Sequence, residues 1–509
     1  MYYITEEHYM KTYNISLNDE IPFSNNAAFC IGTGRMNLAL RHEYHNQLAK
    51  AQKEIGFSHI RGHGLFCDDM AVYHSYTEDG VEKEEYNFRY IDMVFDDYLS
   101  IGLKPFVELG FMPKQMASGD QTIFYWKGNV TPPEDYGKWA RLVKATVNHW
   151  IDRYGRDEVI SWPFEVWNEP NLPGFWKDAD MNEYFKLYDI TSRAVKDCEQ
   201  RIRIGGPAIC GVDDERWMRC FLEFCLKSKA PLDFVTRHAY ATEMPEKDGH
   251  YVYQKLRTPQ EFMAEPMGSR KIIDSFPEFK GMEIHVTEFN TSYDPRNPIH
   301  DTNLNAAYVA RLLSELGDIC ASYSYWTFGD VFEETGVAFT PFSGCFGLLA
   351  NGMIPKPTYW TFVFYKELFP AAIAKNENFI VTKSDEGGVR GIAWNPVETR
   401  SDLPLRLTFG IENGAYFLLT KTVDETACNP LKTWLDMGSP AYPSQRQIEI
   451  LKDCSRPEIA TRRLDVTEGS LSIDIALSPN ALVFFELQGI KPERDRGFRP
   501  ERVQGCGIS

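Results

Sequence analysis

Two short runs hold the residues best suited to chemistry. Phe164-Glu165-Val166-Trp167-Asn168-Glu169-Pro170 is a β-branched and aromatic run that breaks into Asn-Glu-Pro. Val286-Thr287-Glu288-Phe289-Asn290 repeats the arrangement, with an acid at the end of an apolar run. Pro170 cannot continue a sheet ladder, so Glu169 is placed at the carboxyl end of a strand, facing a pocket. Two carboxyl groups across one pocket can split the acetal link between sugars: one protonates the leaving oxygen while the other attacks the carbon. Direct attack needs the carboxyl groups about 5–5.5 Å apart. Such proximity also separates their pKa values and keeps one of them protonated near neutral pH. Alone, the glutamate of Asn-Glu-Pro reads as an exposed strand-end charge; the second glutamate in an equivalent position makes Glu169 and Glu288 the candidate catalytic pair.

Both runs must be positioned by a repeating framework, and the chain supplies one. Apolar strand runs end at Arg35, Phe66, Phe111, Pro170, Ala208, Tyr240, Glu288 and Phe328. Between them lie helical patterns at Leu40–Ile55, Ile91–Leu103, Pro133–Tyr154, Met181–Cys198, Arg216–Lys227, Pro259–Ser275 and Asn303–Gly317. Alternating strands and helices imply a parallel sheet. Eight repeats over this length fit a (β/α)8 barrel, whose chemistry sits at the carboxyl ends of the strands. The residues there are Arg61, His63, Glu108, Asn168, Glu169, His238, Tyr240, Glu288 and Trp326. Gly32-Thr33-Gly34 lacks the third glycine of a dinucleotide fingerprint, and Arg35 occupies the loop, so no nucleotide site is read there.

After Ile354-Pro355-Lys356-Pro357 the pattern changes to short β-type runs: Phe379–Thr382, Arg390–Asn395, Leu405–Phe409, Tyr416–Thr420, Gln447–Ile450, Leu471–Ile475 and Ala481–Leu487. These predict a small antiparallel β-sandwich. The expected fold is α/β, a TIM barrel over 26–360 followed by a sandwich over 361–490. A segment over 1–25 is expected to pack on the sandwich, and 491–509 forms a charged tail suited to an oligomer contact.

Bulk properties narrow the function classes. Of 509 residues, 54 are Lys or Arg and 72 are Asp or Glu, a formal charge of −18. That balance disfavours nucleic acid and anionic membranes as partners and suits a neutral small molecule. No apolar run is long enough for a transmembrane helix, and Met1–Glu7 shows no signal-peptide pattern. Eleven scattered cysteines without a Cys-x-x-Cys pair point to free thiols, no structural zinc and a cytoplasmic location. The sequons at Asn14, Asn129 and Asn290 are then chance matches.

The run from Trp162 to Asp180 resembles the β-xylosidases of glycoside hydrolase family 39. So do Gly32-Thr33-Gly34-Arg35, Arg61-Gly62-His63-Gly64-Leu65, Gly128–Pro133, Thr287–Tyr293 and Tyr325–Glu334. The resemblance implies a retaining exo-β-1,4-D-xylosidase acting on xylo-oligosaccharides, without metal or organic cofactor and as a homo-oligomer, dimer or tetramer. It implies Glu169 as acid/base and Glu288 as nucleophile. Asn168 would bond the sugar 2-hydroxyl, Tyr240 would hold Glu288, and His63 and His238 would bind sugar hydroxyls. Trp326 would floor the site, Glu333 or Glu334 would grip the far hydroxyls, and Phe175 and Trp176 would border the leaving group. Arg61 could orient Glu288 through its charge. The alternatives are another glycosidase of the family, acting on arabinosides, glucosides or uronic-acid glycans, and a catalytically idle carbohydrate-binding protein.

Overall fold

The computed structural model describes residues 10–396 and 401–491 and Arg502. The remaining tail residues, and with them the expected oligomer contact, lie outside the described residues, as does the stretch before Met10.

Parallel hydrogen bonding links nine segments whose two end segments, Lys104–Pro105 and Val107–Leu109, are halves of one strand interrupted at Phe106. The sheet therefore closes on itself as eight strands. In chain order these are Cys30–Arg35, His59–His63, the split third strand, Phe164–Val166, Ile204–Ile209, Phe234–Tyr240, Ile284–Asn290 and Ser322–Tyr325. Closure is made where Ser324 and Tyr325 pair with Cys30 and Ile31.

Most of the surrounding helices bury one apolar face, while Asn303–Leu316 is buried on nearly all sides. In Tyr136–Tyr154, Trp139, Leu142, Val143, Val147 and Trp150 are buried at helical spacing. The helix starts where the Asp135 side chain accepts from the Gly137 and Lys138 amides, and it ends at Gly155 with φ +88°. Asp135, two residues past the expected Pro133, is thus the cap. The eighth helix, Pro357–Glu367, runs across the expected boundary at residue 360. It belongs to the barrel's outer ring: Asn305 Nδ2 donates to Thr358 Oγ1 at 2.8 Å, and Thr361 Oγ1 donates to Ala306 O at 3.0 Å. The barrel therefore extends to Glu367.

Beyond it, six strands form one sheet in the order Ala371–Lys375, Phe379–Lys383, Val389–Trp394, Leu482–Ile490, Gly414–Val423, Glu458–Val466. Three form a second: Lys11–Ile15, Leu403–Gly410, Ser470–Leu477. Leu405, Leu407 and Phe409 alternate inward to meet Phe379, Val381, Leu418 and Phe485. The N-terminal strand joins this sheet in parallel, with Lys11 opposite Leu405.

One expected strand is a helix. Gln447–Ile450 lies within Gln445–Cys454, which opens on a reciprocal cap: Ser444 Oγ accepts from the Gln447 amide, and Gln447 Oε1 accepts from the Ser444 amide. Ten cysteines are free among the described residues, and no described helix is long and apolar enough to cross a membrane.

Candidate active site

The end of the fourth strand is bent to deliver its polar residues. Trp167 and Glu169 adopt left-handed backbone conformations, φ +71° and +43°, each at a cost of about 1–3 kcal/mol. The bend is held from several sides. The Glu169 amide donates to Ala208 O at 2.9 Å, Tyr184 OH donates to Val166 O at 3.0 Å, and Trp167 Nε1 donates to Phe175 O at 2.8 Å. The last bond fixes the loop that sets Phe175 into the cavity wall. Trp176, expected beside it, is instead fully buried and donates to Asp180 O; it does not border the cavity.

Strands four and seven bring the two glutamates together. One oxygen of Glu169, one of Glu288 and a ring nitrogen of His238 all lie within 4.8 Å of one another. That closeness matches direct attack rather than the 6.5–9.5 Å gap that leaves room for an intervening water. These three residues are also, among the described residues, the group that could hold a metal ion. His238 Nδ1 is 2.8 Å from Glu169 Oε1 and 3.5 Å from Glu288 Oε2. Tyr240 OH donates to Glu288 Oε2 at 2.8 Å, and Arg61 Nη1 donates to Glu288 Oε1. Arg61 also donates from Nη2 to Asn168 Oδ1 at 2.9 Å and from Nε to Glu165 Oε2 at 2.8 Å. One guanidinium thus ties the end of strand four to the end of strand seven.

The electrostatics follow from burial. It pushes the Glu169 carboxyl up to about 8, with Arg61 opposing and Glu108 adding to the rise. Burial, rather than the neighbouring carboxylate, is therefore the main lever that keeps this acid protonated. Burial likewise lifts Glu108 to about 7 against Arg61, and drives His63 down to about 3 and His238 to about 4, so both imidazoles are neutral at pH 7.

The cavity has a volume of about 810 Å³ and is lined by His63, Asn168, Glu169, Phe175, Tyr240, Glu288, Trp326 and Glu334, among others. His238 is not at its surface: fully buried, it sits beneath the two carboxyl groups, where sequence reasoning placed a sugar contact. The Glu333-Glu334 pair is split in the same way. Glu334 lines the cavity, and burial, with Glu288 and Glu169 nearby, pushes it well above the usual carboxylate range. Glu333 turns away to Arg35 Nη2 at 2.8 Å and Arg41 Nη1 at 2.5 Å, so it does not face the site.

Other wall residues were not singled out from sequence. Phe124 packs against Phe175 with ring centroids 5.3 Å apart, in a loop whose Tyr125 amide donates to Glu334 O at 2.7 Å. The Phe124-Tyr125-Trp126 triplet was the available signal. Glu243, Glu265 and Asp294 make the wall strongly acidic. Arg257, the single Lys or Arg among the described lining residues, is paired with Glu265 at 2.7 Å. Gly32 also has its explanation: a Cβ there would lie 2.6 Å from Trp326 Cε3, so the first strand must be bare where the cavity-floor tryptophan packs.

The model of glycosyl hydrolases family 39 matches residues 15–472. A β-xylosidase from Geobacillus stearothermophilus is 45% identical over 95% of this chain and 97% of its own length. One from Caldicellulosiruptor saccharolyticus is 34% identical over 90% and 94%. Among solved structures, a monomeric β-xylosidase from Caulobacter crescentus CB15 superposes with a TM-score of 0.87 at 32% identity, covering 94% of this chain and 100% of that one. The chain belongs to glycosyl hydrolases family 39.

Proposed function

We propose that this protein is a retaining exo-β-1,4-D-xylosidase that removes terminal xylose from xylo-oligosaccharides. The observation that carries the reading is the approach of Glu169 and Glu288 to within 4.8 Å around His238, with burial holding Glu169 protonated at neutral pH. A Glu288 oxygen attacks C1 as the bond from C1 to the leaving oxygen breaks, and Glu169 gives that oxygen its proton. The product is an ester between C1 and Glu288. Glu169, now deprotonated, takes a proton from water, whose oxygen attacks C1 and releases Glu288. Two displacements restore the original configuration.

The remaining residues take supporting roles. Arg61 occupies Asn168 Oδ1, which leaves the Asn168 amide NH2 to donate to a sugar 2-hydroxyl. Tyr240 and Arg61 aim Glu288, Trp326 floors the glycone, Glu334 accepts from its far hydroxyls, and Phe175 with Phe124 walls the leaving-group side. A cavity of about 810 Å³ is in the range of small-molecule sites, which suits short chains. Xylose as the sugar rests on the likeness to the Geobacillus and Caldicellulosiruptor β-xylosidases. A panel of nitrophenyl glycosides tests it. The β-D-xyloside should be the fastest substrate and the β-D-glucuronide among the slowest, given the acidic wall; preference for an arabinoside or glucoside would overturn the choice. A cytoplasmic location belongs to the same reading, supported by the free cysteines among the described residues; the homo-oligomer rests on the sequence resemblance alone, against a Caulobacter relative described as monomeric, and light scattering after size exclusion decides it.

A further inference from the structure

Glu108 belongs to no step of that mechanism, yet it is buried at the carboxyl end of the third barrel strand. Its Oε2 lies 2.7 Å from His63 Nδ1 and 3.0 Å from Arg61 Nη2. The other ring nitrogen, His63 Nε2, lies 3.3 Å from Glu288 Oε1, and His63 lines the cavity. The imidazole therefore bridges two carboxyl groups, one behind the site and one in it. We propose that Glu108 is a positioning residue that holds His63 as the Nδ1–H tautomer, so that Nε2 faces the cavity as an unprotonated acceptor for a sugar hydroxyl beside Glu288.

The argument is one of counting protons. A neutral imidazole has one N–H, so it can donate to Glu108 or to Glu288, not to both. Arg61 fixes the choice. Its Nη2 lies 3.0 Å from Glu108 Oε2, and its charge favours the ionised carboxylate against the burial that lifts Glu108 to about 7; above that pH the carboxylate can only accept, so the 2.7 Å contact is Nδ1–H donating to Oε2. The plane of the ring is set independently, by Trp326 with centroids 4.7 Å away, Phe111 at 5.9 Å and Phe124 at 6.2 Å. The position of the N–H is what is left for Glu108 to determine. The alternative tautomer would add a donor to Glu288 Oε1, which already accepts from Arg61. A further hydrogen bond there would stabilise the attacking oxygen before reaction and slow the attack, and it would remove the acceptor from the cavity. Partners that orient a metal-ligating histidine from behind are worth about 10–100-fold in activity, and the same scale is expected for Glu108 behind His63.

The kinetic half of this inference rests on the hydrolase reading; the tautomer does not, and the test separates them. Protein labelled with 15N-histidine is compared as wild type, Glu108→Leu and Glu108→Gln at a pH above 8, with His63 assigned by the signals lost in His63→Asn. Long-range 1H–15N spectra then report which ring nitrogen bears hydrogen, with no substrate present. Wild type should show Nδ1–H and bare Nε2. Glu108→Leu should move the proton to Nε2 and lower kcat/KM for xylobiose by about 10–100-fold. Glu108→Gln, whose amide oxygen can replace Oε2 while its NH2 takes the place of the unpartnered Oε1, should keep Nδ1–H and recover most of that loss. Nε2–H in the wild type overturns the proposal, as does a Glu108→Leu protein whose tautomer is unchanged, whatever its activity. Should Glu108→Leu fail to fold, the wild-type and Glu108→Gln spectra decide the same question. Normal tautomers with no xylosidase activity in any form would instead sink the xylosidase reading and leave the tautomer assignment standing.

Discussion

The sharpest consequence of the buried acid is a pH profile. On the proposed mechanism Glu169 must carry a proton to release the leaving group, and burial raises its carboxyl from 4.5 to about 8. At a pH of about 6.5 a glutamate with its ordinary value is about 1% protonated, whereas one at about 8 is about 97% protonated. Burial therefore raises the fraction of competent enzyme about 100-fold, or about 2.7 kcal/mol at that pH. The sign is fixed: activity persists as pH rises through the ordinary carboxylate range and falls as it passes about 8. The assay is kcat/KM on xylobiose against pH, since that ratio reports the free enzyme's essential groups. Xylobiose is the right substrate because its sugar leaving group needs the proton. Glu169→Gln should lose about 10²–10⁴-fold on it and lose the alkaline limb with the acid. An alkaline limb between about 4 and 5 in the wild type, or one that survives in Glu169→Gln, would refute the assignment of burial as the cause.

Three further outcomes follow from named contacts. Because native Glu169 binds its proton more tightly than the unfolded chain does, its contribution to stability is present below about 4.5 and is lost as pH rises to about 8; Glu169→Gln should be more stable than wild type at a pH above 8, by up to about 5 kcal/mol, as read by urea unfolding. Lys356, fully buried between Asp301 Oδ1 and Asp330 Oδ2 at 2.7 Å each, also donates to Cys345 O; Lys356→Met leaves both aspartates without their cation and should cost about 3–5 kcal/mol in the same assay. Glu334→Gln should lower kcat/KM only about 2–10-fold, the worth of a hydrogen bond between uncharged groups, since burial holds Glu334 protonated, while Glu333→Gln should mainly lower the thermal midpoint, because its partners are Arg35 and Arg41.

Local signals made the barrel legible in sequence. Each strand is a short apolar run, each helix repeats apolar residues at its own period, and the break at Asn168-Glu169-Pro170 marks a strand end without help from distant residues. Signals that fail locally failed here too. Gln447–Ile450 looks like a strand by composition, yet Ser444-Gln445-Arg446-Gln447 carries the capping pattern that starts a helix. Glu458–Val466 is an edge strand exposed along most of its length, so it lacks the alternation that betrays a half-buried one. Within the site, residue types were readable and their facing was not. Glu333 and Glu334 are adjacent and chemically identical; only the positions of Arg35 and Arg41 decide which turns inward. The same holds for His238, whose partners arrive from strands four and seven, and for Glu108, whose bond to His63 crosses from the third strand to the second.

The most direct test of the central claim is to trap the covalent ester. A 2-deoxy-2-fluoro-β-xyloside with a dinitrophenolate leaving group slows release more than attack, so the enzyme should accumulate one fluoroxylosyl unit. Proteolysis and mass spectrometry should find it on the peptide containing Glu288, and fragmentation should place it on that side chain. A label on Glu169, or complete turnover with no label and with α-xylose as the first anomer formed, would contradict the account.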